Sequence, residues 1–257
     1  MQLTLPLAEP IAGSAHAPTA NARAPDYQLV RSTRRTLAIN IHQGEVIVRA
    51  PLRAPLAWIQ DFVDAKAAWI NCQVELQRVQ KNQLLKIVDG ATFTLFGQAC
   101  CIAIEAADTR KRSRLQFTDN CLSIAVQTPS DKQATPANQH SRLFRRWLKS
   151  QAPAYLNSNT QLLARRMGLA KKLAAVNYRY TSSKWGHCTS SGEIQYNPSI
   201  ALAPLYVTDY IIAHEVCHLR HRNHSRRFWS LVASVCPQWQ QAEHWLDNDG
   251  HRISIGN

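Results

Sequence analysis

The chain has 257 residues, 45% of them hydrophobic, and its seven Trp, seven Tyr and six Phe indicate a globular protein with one large or two modest domains. Its formal net charge of +13 favours anionic partners such as nucleotides or nucleic acid, although the same charge also fits an ordinary basic enzyme. The seven cysteines include no CxxC pair, which argues against a disulfide framework and predicts free thiols in a reducing, cytoplasmic compartment.

The first half of the chain is predicted to be rich in β-strands. Residues 1–25 are broken by four prolines and match neither a signal peptide nor a membrane span, so we expect a disordered tail and no membrane partner. A β-rich subdomain is expected at 26–130. Within it, alternating apolar residues predict a hairpin at 37–48, helical spacing predicts one long amphipathic helix at 56–80, and short apolar runs between 92 and 126 predict antiparallel strands.

The second half is predicted to be a separate subdomain at 140–246. Polar residues and two prolines at 128–139 are typical of a linker. A helix is expected at about 141–166, where Pro153 removes a backbone donor and predicts a kink or a break. Short strands at 175–180 and 193–197 are expected on either side of a polar loop at 181–192, and the polar residues 247–257 are expected to form a tail.

One pentapeptide, His214-Glu215-Val216-Cys217-His218, has the pattern HExxH. The segment 207–221 has the apolar spacing of a helix, so the two imidazoles, four residues apart, lie on one face and can bind a single ion. Glu215 is rotated roughly 100° from His214 around the helix axis, which leaves its carboxylate beside the metal and free to activate a bound water. This pattern indicates a zinc hydrolase.

A catalytic zinc ion usually has three protein ligands and one open position for water, so a further ligand is needed. Four nearby residues compete for that role: Cys217, His187, His221 and His224. His221 lies about 10.5 Å from His214 along a straight helix, which is too far for both to bind one ion at about 2 Å. His224 is better placed because the chain can turn before it, whereas Cys217 points away and no ligand spacing supports His187.

The motif and its neighbours resemble a known family. The segment HEVCHLRHRNHSRRFW, together with SSKWGHC and IQYNPSIALAP upstream, is similar to the YgjP-like metallopeptidase domains, which are related to the SprT-like and WLM zinc proteases. The resemblance extends over about 31–246 and implies a minimal zincin in which Glu215 is the catalytic acid/base. It also implies that three histidines bind one Zn²⁺ per chain: His214, His218 and His224. His187 departs from the pattern, in which a small Ser is expected after Trp-Gly.

The fold expected from these features is α+β, with a β-rich N-terminal half that contains one long helix, followed by a minimal zincin-like half with an HExxH active-site helix. The leading hypothesis is hydrolysis of a polypeptide substrate. Zinc would lower the pKa of its bound water towards about 7, and Glu215 would take up the proton and pass it to the leaving amine. Tyr196, Lys184 and His187 are candidates for substrate or transition-state contacts on proximity in sequence alone.

Two alternative functions remain open. The resembled family includes a protein proposed to be a UTP pyrophosphatase, so a metal-dependent nucleoside triphosphate pyrophosphatase is one alternative. Against it, the chain has no GxxxxGK[ST] loop and no acidic cluster of the kind that holds Mg²⁺ with phosphates. The other alternative is a DNA-associated protease, or a nucleic-acid-binding protein whose zinc is structural, which would require a fourth protein ligand.

Overall fold

The computed structural model describes residues 25–42, 44–106, 113–126 and 136–256, so the tail predicted at 1–25 lies outside the described residues except for its last position. The described residues form two compact units, one that ends at Gln83 and one that begins at Leu84. Both units contain helices and sheets, which confirms the predicted α+β class. Among the described helices, none combines the length and the apolar character needed to cross a membrane.

The N-terminal unit is a three-stranded sheet packed against helices. Strand β1 (Gln28–Ser32) pairs in parallel with β3 (Glu45–Pro51), and β3 pairs antiparallel with β2 (Ala38–His42), so the predicted hairpin is confirmed. Because side chains alternate between the two faces of a strand, every second residue of β3 is buried: Val46, Val48 and Ala50. These side chains form a small core with the apolar faces of the two helices that follow.

The prediction of one long helix at 56–80 is wrong, because the structure has two helices, α1 (Leu56–Asp64) and α2 (Ala67–Asn82). Helical bonding is interrupted at Lys66, whose N–H donates to the carbonyl of Val63, three residues back instead of four. The apolar face nevertheless continues across the break through four buried residues: Ile59, Val63, Ala67 and Ile70. No Gly or Pro lies at the break, so the sequence carries no local signal for it.

The larger unit begins with a four-stranded sheet. Its strands are β4 (Thr92–Leu95), β5 (Gln98–Ala106), β6 (Arg114–Thr118) and β7 (Cys121–Val126). They lie in the order β4-β5-β7-β6, which joins two antiparallel hairpins through a parallel pairing of β5 with β7. The prediction of antiparallel strands is therefore wrong for this pair, because β6 lies at the outer edge and β7 returns beside β5 in the same direction.

A long helix, α3 (Pro136–Arg166), begins within the segment predicted as a linker at 128–139, and the rest of that segment lies outside the described residues. The sequence predicts either a kink or a break at Pro153. The predicted break is absent, because α3 continues through this residue. Proline removes one backbone hydrogen bond, but the surrounding residues on the inner face are fully buried: Leu148, Ala152 and Leu156. We attribute the continuity of α3 to this apolar packing.

A second sheet and three further helices complete the larger unit. Strand β10 (Glu193–Tyr196) lies between β8 (Ala175–Tyr178), to which it is parallel, and β9 (Gly186–Cys188), to which it is antiparallel. Strand β9 falls inside the loop predicted at 181–192 and lies at the edge of this sheet. The helices are α4 (Leu205–His218), α5 (Arg226–Val235) and α6 (Trp239–Asp249).

The division between the two compact units comes earlier than the linker at which the sequence predicts a boundary. The reason is that the four-stranded sheet shares one core with the helical half. Phe93 of β4 makes edge-to-face contacts with Phe144 and Trp147 of α3, at ring-centroid distances of 5.2 and 5.9 Å. The sheet therefore belongs with the second half of the chain rather than with the first.

The segment predicted as a tail at 247–257 is part of the fold as far as residue 256. Helix α6 extends into it, and Ile253 and Ile255 are only 5% exposed. Backbone hydrogen bonds join Leu85 to Ser254 and Gly256, at 3.0 and 2.9 Å. The apolar isoleucines, set among polar neighbours, explain why a segment of polar composition packs against the core.

Candidate metal centre

Helix α4, which carries the HExxH residues, is buried along nearly its whole length. From Val207 to His218 only Asp209 is exposed. A helix that is buried on nearly all sides has neighbours all around it, and α4 contacts α3, α5, α6 and β9. Near its start, the Thr208 hydroxyl donates a 2.8 Å hydrogen bond to the Ile200 carbonyl. This packing fixes the position and rotation of the helix.

Three histidine side chains converge at the end of α4. His214 and His218 lie on α4, and His224 lies on the loop between α4 and α5. The Nε2 atom of His214 is 3.1 Å from Nε2 of His218 and 2.9 Å from Nε2 of His224. When one ring nitrogen is taken from each of the three histidines, the three nitrogens all lie within 4.8 Å of one another. The structure thus brings together the three histidines that the sequence nominates as ligands.

Two aromatic residues at the start of α5 support these imidazoles. Phe228 stacks on His218 with a centroid distance of 4.5 Å, and Trp229 stacks on His224 at 5.5 Å. After α4, the N–H of Leu219 donates to a carbonyl three residues back, which tightens the last turn and redirects the chain. The turn and the stacked rings together bring His224 to the face of α4 that carries the other two histidines.

Hydrogen bonds at the far nitrogens orient two of the rings. The carbonyl of His221 lies 2.9 Å from Nδ1 of His218 and can only accept, so Nδ1 carries the proton and Nε2 keeps its lone pair. The Tyr210 hydroxyl lies 3.4 Å from Nδ1 of His214 and can accept in the same way. Such partners fix the tautomer of metal-binding histidines. Sequence reasoning missed both, although the i, i+4 spacing of Tyr210 and His214 is a signal for one of them.

Burial lowers the pKa of all three histidines, because the buried site disfavours the charged imidazolium. The pKa of His214 falls to about 2, with a further contribution from the neighbouring histidines, and that of His218 falls to about 4 despite the opposing hydrogen bond to His221. The pKa of His224 is also lowered, again through burial. All three rings are therefore neutral at pH 7, which is the form that binds metal ions.

Glu215 lies in a tight, buried environment beside these rings. The residue is 1% exposed, and neither carboxylate oxygen has a hydrogen-bond partner among the described residues. Burial raises the pKa of Glu215 to about 8, and the charge of Lys184 acts in the opposite direction. Gly186 of β9 lies against the carboxylate, since a Cβ at that position would be 2.7 Å from Cγ and 2.8 Å from Cδ of Glu215. The absence of a side chain at Gly186 makes room for Glu215.

This arrangement fits a bound metal ion. A tetrahedral zinc site with Zn–N bonds of about 2.0–2.1 Å holds its nitrogens about 3.3 Å apart, close to the separations seen here. Among the described residues, no fourth His, Cys or carboxylate joins the group of three, which leaves a coordination position for water or substrate. A buried carboxylate with no partner is costly, and a water held beside it would supply the missing hydrogen bond.

The structure places Tyr196 in the core. The residue is fully buried on β10, and its hydroxyl lies 2.9 Å from Oγ1 of Thr160. Thr160 donates its own proton to the Leu156 carbonyl at 2.6 Å, so the Tyr196 hydroxyl is the donor of the pair. With its proton used in this way, Tyr196 serves packing and is not open to a bound peptide.

The other two candidates lie on or next to β9. Side chains alternate along a strand, so Gly186 and Cys188 face Glu215 and His187 faces the opposite side of the sheet. Burial lowers the pKa of His187, and the charge of Lys184 lowers it further. Lys184 is the candidate whose charge acts on Glu215.

The cysteines near the site do not offer thiolate ligands. Burial raises the pKa of Cys188 to about 11, with a further contribution from the charge of Glu215, so its sulfur keeps the proton. Cys217 is fully buried within α4, as its position on the far side of the helix predicts. All seven cysteines of the chain are unpaired, which confirms the prediction of free thiols.

Comparison with known proteins gives one match. The family model described as "YgjP-like, metallopeptidase domain" matches residues 35–249, which include all of the site residues above and most of the chain. A search of curated proteins and a search of solved structures each found no match.

Proposed function

The chain belongs to the YgjP-like metallopeptidase domain family, and we propose that it is a zinc-dependent peptidase that hydrolyses polypeptides with Glu215 as the general base. The observation that carries this proposal is the convergence of three neutral imidazoles beside a buried carboxylate that has no other partner among the described residues. The imidazoles of His214, His218 and His224 would hold the ion. When bound, zinc lowers the pKa of a water molecule and polarises the scissile carbonyl.

Glu215 has the surroundings that a positioned base requires. Gly186 on one side and the buried body of α4 on the other restrict its carboxylate. Burial raises the pKa of Glu215 to about 8 against the opposing charge of Lys184, and a pKa near the working pH suits a group that takes up a proton and then releases it. We assign to its carboxylate the uptake of a proton from the attacking water. The protonated carboxyl group then donates that proton to the amine nitrogen that leaves when the peptide bond breaks.

The backbone of β9 is suited to align an extended substrate. The N–H of Asn197 donates to the carbonyl of Trp185. In an antiparallel pair, every second residue of a strand points its backbone N–H and C=O at the partner strand, so the backbone groups of His187 also face β10. Those of Gly186 and Cys188 face away from β10. Because β9 is an edge strand and Gly186 adjoins Glu215, a peptide that pairs with these groups would run past the metal centre. We therefore assign substrate alignment to this backbone rather than to Tyr196.

The experiment compares the zinc-loaded full chain with three variants. We expect His224→Ala to lose zinc, because two imidazoles remain to bind it. We expect Glu215→Gln to keep zinc but to hydrolyse casein about 10²–10⁴-fold more slowly, because the general base is gone. Glu193→Gln, which makes the same chemical change at an exposed position, is the matched control and should resemble the wild type.

Zinc content and hydrolysis are measured on casein, on casein with duplex DNA, and on UTP. A Glu215→Gln protein that keeps both its zinc and full activity would contradict the assignment of the base. Hydrolysis of UTP without hydrolysis of casein would favour the nucleotide pyrophosphatase alternative, which the net charge of +13 also suits. Casein cleavage that requires DNA would favour the DNA-associated protease.

A further inference from the structure

A second concave site lies next to the loop that carries His224. The cavity has a volume of about 370 Å³ and is formed by three segments: residues 171–174, residues 190–192 after β9, and residues 219–222 after α4. We call it the basic pocket, because four of its lining residues are positively charged and none is acidic: Lys171, Lys172, Arg220 and Arg222.

The three segments are joined by hydrogen bonds that fix the shape of the basic pocket. The N–H of Ala174 donates to the carbonyl of Gly192 at 2.9 Å. The Arg222 guanidinium donates to the carbonyls of Thr189 and Ser190. Gly192 has a φ of +88°, and a Cβ there would collide with the backbone carbonyl of Lys172, so the chain approaches this closely only through a glycine. The concavity is therefore built into the fold.

The positive charge of the basic pocket is not balanced within the protein. In the part of the chain that the structure describes, the ion pairs are Glu75 with Arg78 and Asp249 with Arg252, and neither pair includes a residue of the basic pocket. Lys171, Lys172 and Arg220 are all exposed. Concentrated positive charge in a fixed concavity attracts an anionic group.

We propose that the basic pocket binds an acidic side chain of the polypeptide substrate, and so selects peptides that carry Asp or Glu at a fixed distance from the scissile bond. The inference rests on the proposed peptidase function and names its substrate class. Ser190 and Ser191 line the basic pocket and begin two residues after the end of β9 at Cys188, so a peptide aligned on β9 would reach it. Arg and Lys side chains are well matched to carboxylates.

The lining favours a peptide side chain over a single-stranded nucleic acid. Non-specific binding of single strands relies on aromatic side chains that stack against bases, and no aromatic residue lines the basic pocket. Its position also matters, because Arg220 comes two residues after His218 and Arg222 comes two residues before His224. A group bound there is held at a constant separation from the metal centre.

Binding is tested in the zinc-loaded Glu215→Gln protein, which should bind peptides without cleaving them. The probes are a short fluorescein-labelled peptide with two adjacent Glu residues and the same peptide with Gln in their place, compared by anisotropy at low and high salt. We expect binding of the Glu peptide to be about tenfold tighter, because a charge-assisted contact is lost with Gln. The difference should shrink at high salt, since exposed charges are screened.

Two double variants locate the effect. Lys171→Ala with Arg220→Ala should abolish the preference for Glu. Arg142→Ala with Lys149→Ala removes the same charge from exposed positions of α3 and should keep the preference. With the wild type, the Glu peptide should also be cleaved with about tenfold higher kcat/KM.

Equal binding of the two peptides would overturn the proposal. It would also be overturned if a single-stranded DNA oligonucleotide bound more tightly than the Glu peptide and lost affinity with the same pair of substitutions. A preference for Glu in binding without cleavage of any peptide by the wild type would support the acidic-ligand site and refute the proposed peptidase function, so the two failures are distinguishable.

Discussion

Replacing Gly186 with Ala should displace the Glu215 carboxylate while the three histidines stay in place. The new Cβ would collide with Oε1 of Glu215 and would lie 2.7 Å from Cγ and 2.8 Å from Cδ, whereas ordinary contacts begin at 3.4 Å. One of the two groups must therefore move by roughly 0.7 Å or more in a close-packed interior. Strand β9 is held by its pairing with β10, and α4 is buried, so the Glu215 side chain is the part that can give way.

The size of the effect follows from this displacement. Overpacking a core in this way costs about 1–3 kcal/mol, which corresponds to a fall in Tm of roughly 2–12 °C for a unit of this size. A base misplaced by a large fraction of 1 Å lowers kcat/KM by roughly 10²-fold. The zinc content should not change, because Gly186 has no contact with the ligand nitrogens among its nearest neighbours.

The assay measures zinc content, thermal unfolding and kcat/KM of the Gly186→Ala variant. Gly256→Ala is the control, because its Cβ would meet Leu85 O at an ordinary 3.5 Å. An unchanged kcat/KM in Gly186→Ala would refute the view that β9 positions Glu215. Loss of zinc would also count against it, since the effect would then extend to the histidines.

Three further substitutions separate roles within the same site. His221→Ala should keep zinc, because His221 contributes a backbone carbonyl, whereas His224→Ala should lose it; equal metal content in both would contradict the ligand assignment. Tyr196→Phe removes one buried hydrogen bond and should lower the free energy of unfolding by about 0.5–1.5 kcal/mol, measured by urea denaturation, with kcat/KM within a few-fold of the wild type. His187→Ser should leave zinc content and kcat/KM nearly unchanged, and a loss of 100-fold or more, about 2.7 kcal/mol, would show that the side chain acts in catalysis.

The histidine cluster could be predicted because it depends on short-range geometry. A helix places His214 and His218 on one face whatever surrounds it, and the reach of a short turn distinguishes His224 from His221. The hairpin of β2 and β3 is equally local, since alternation and a turn are enough to predict it. Longer-range features had no such signal. The parallel pairing of β5 with β7 depends on which strands the core brings together, and the break between α1 and α2 contains no Gly or Pro.

The segment Trp-Gly-His-Cys shows why proximity in sequence was a poor guide to the contacts of Glu215. The segment was expected to be a loop, in which no side chain has a defined direction, but its last three residues form β9, in which directions alternate. Gly186, which the sequence did not nominate, therefore faces the carboxylate, and His187, which it did, faces the other side of the sheet. A His in place of the Ser expected from the family resemblance thus alters the face opposite Glu215. The constraint on this segment lies at Gly186, where any side chain would occupy the space of the base.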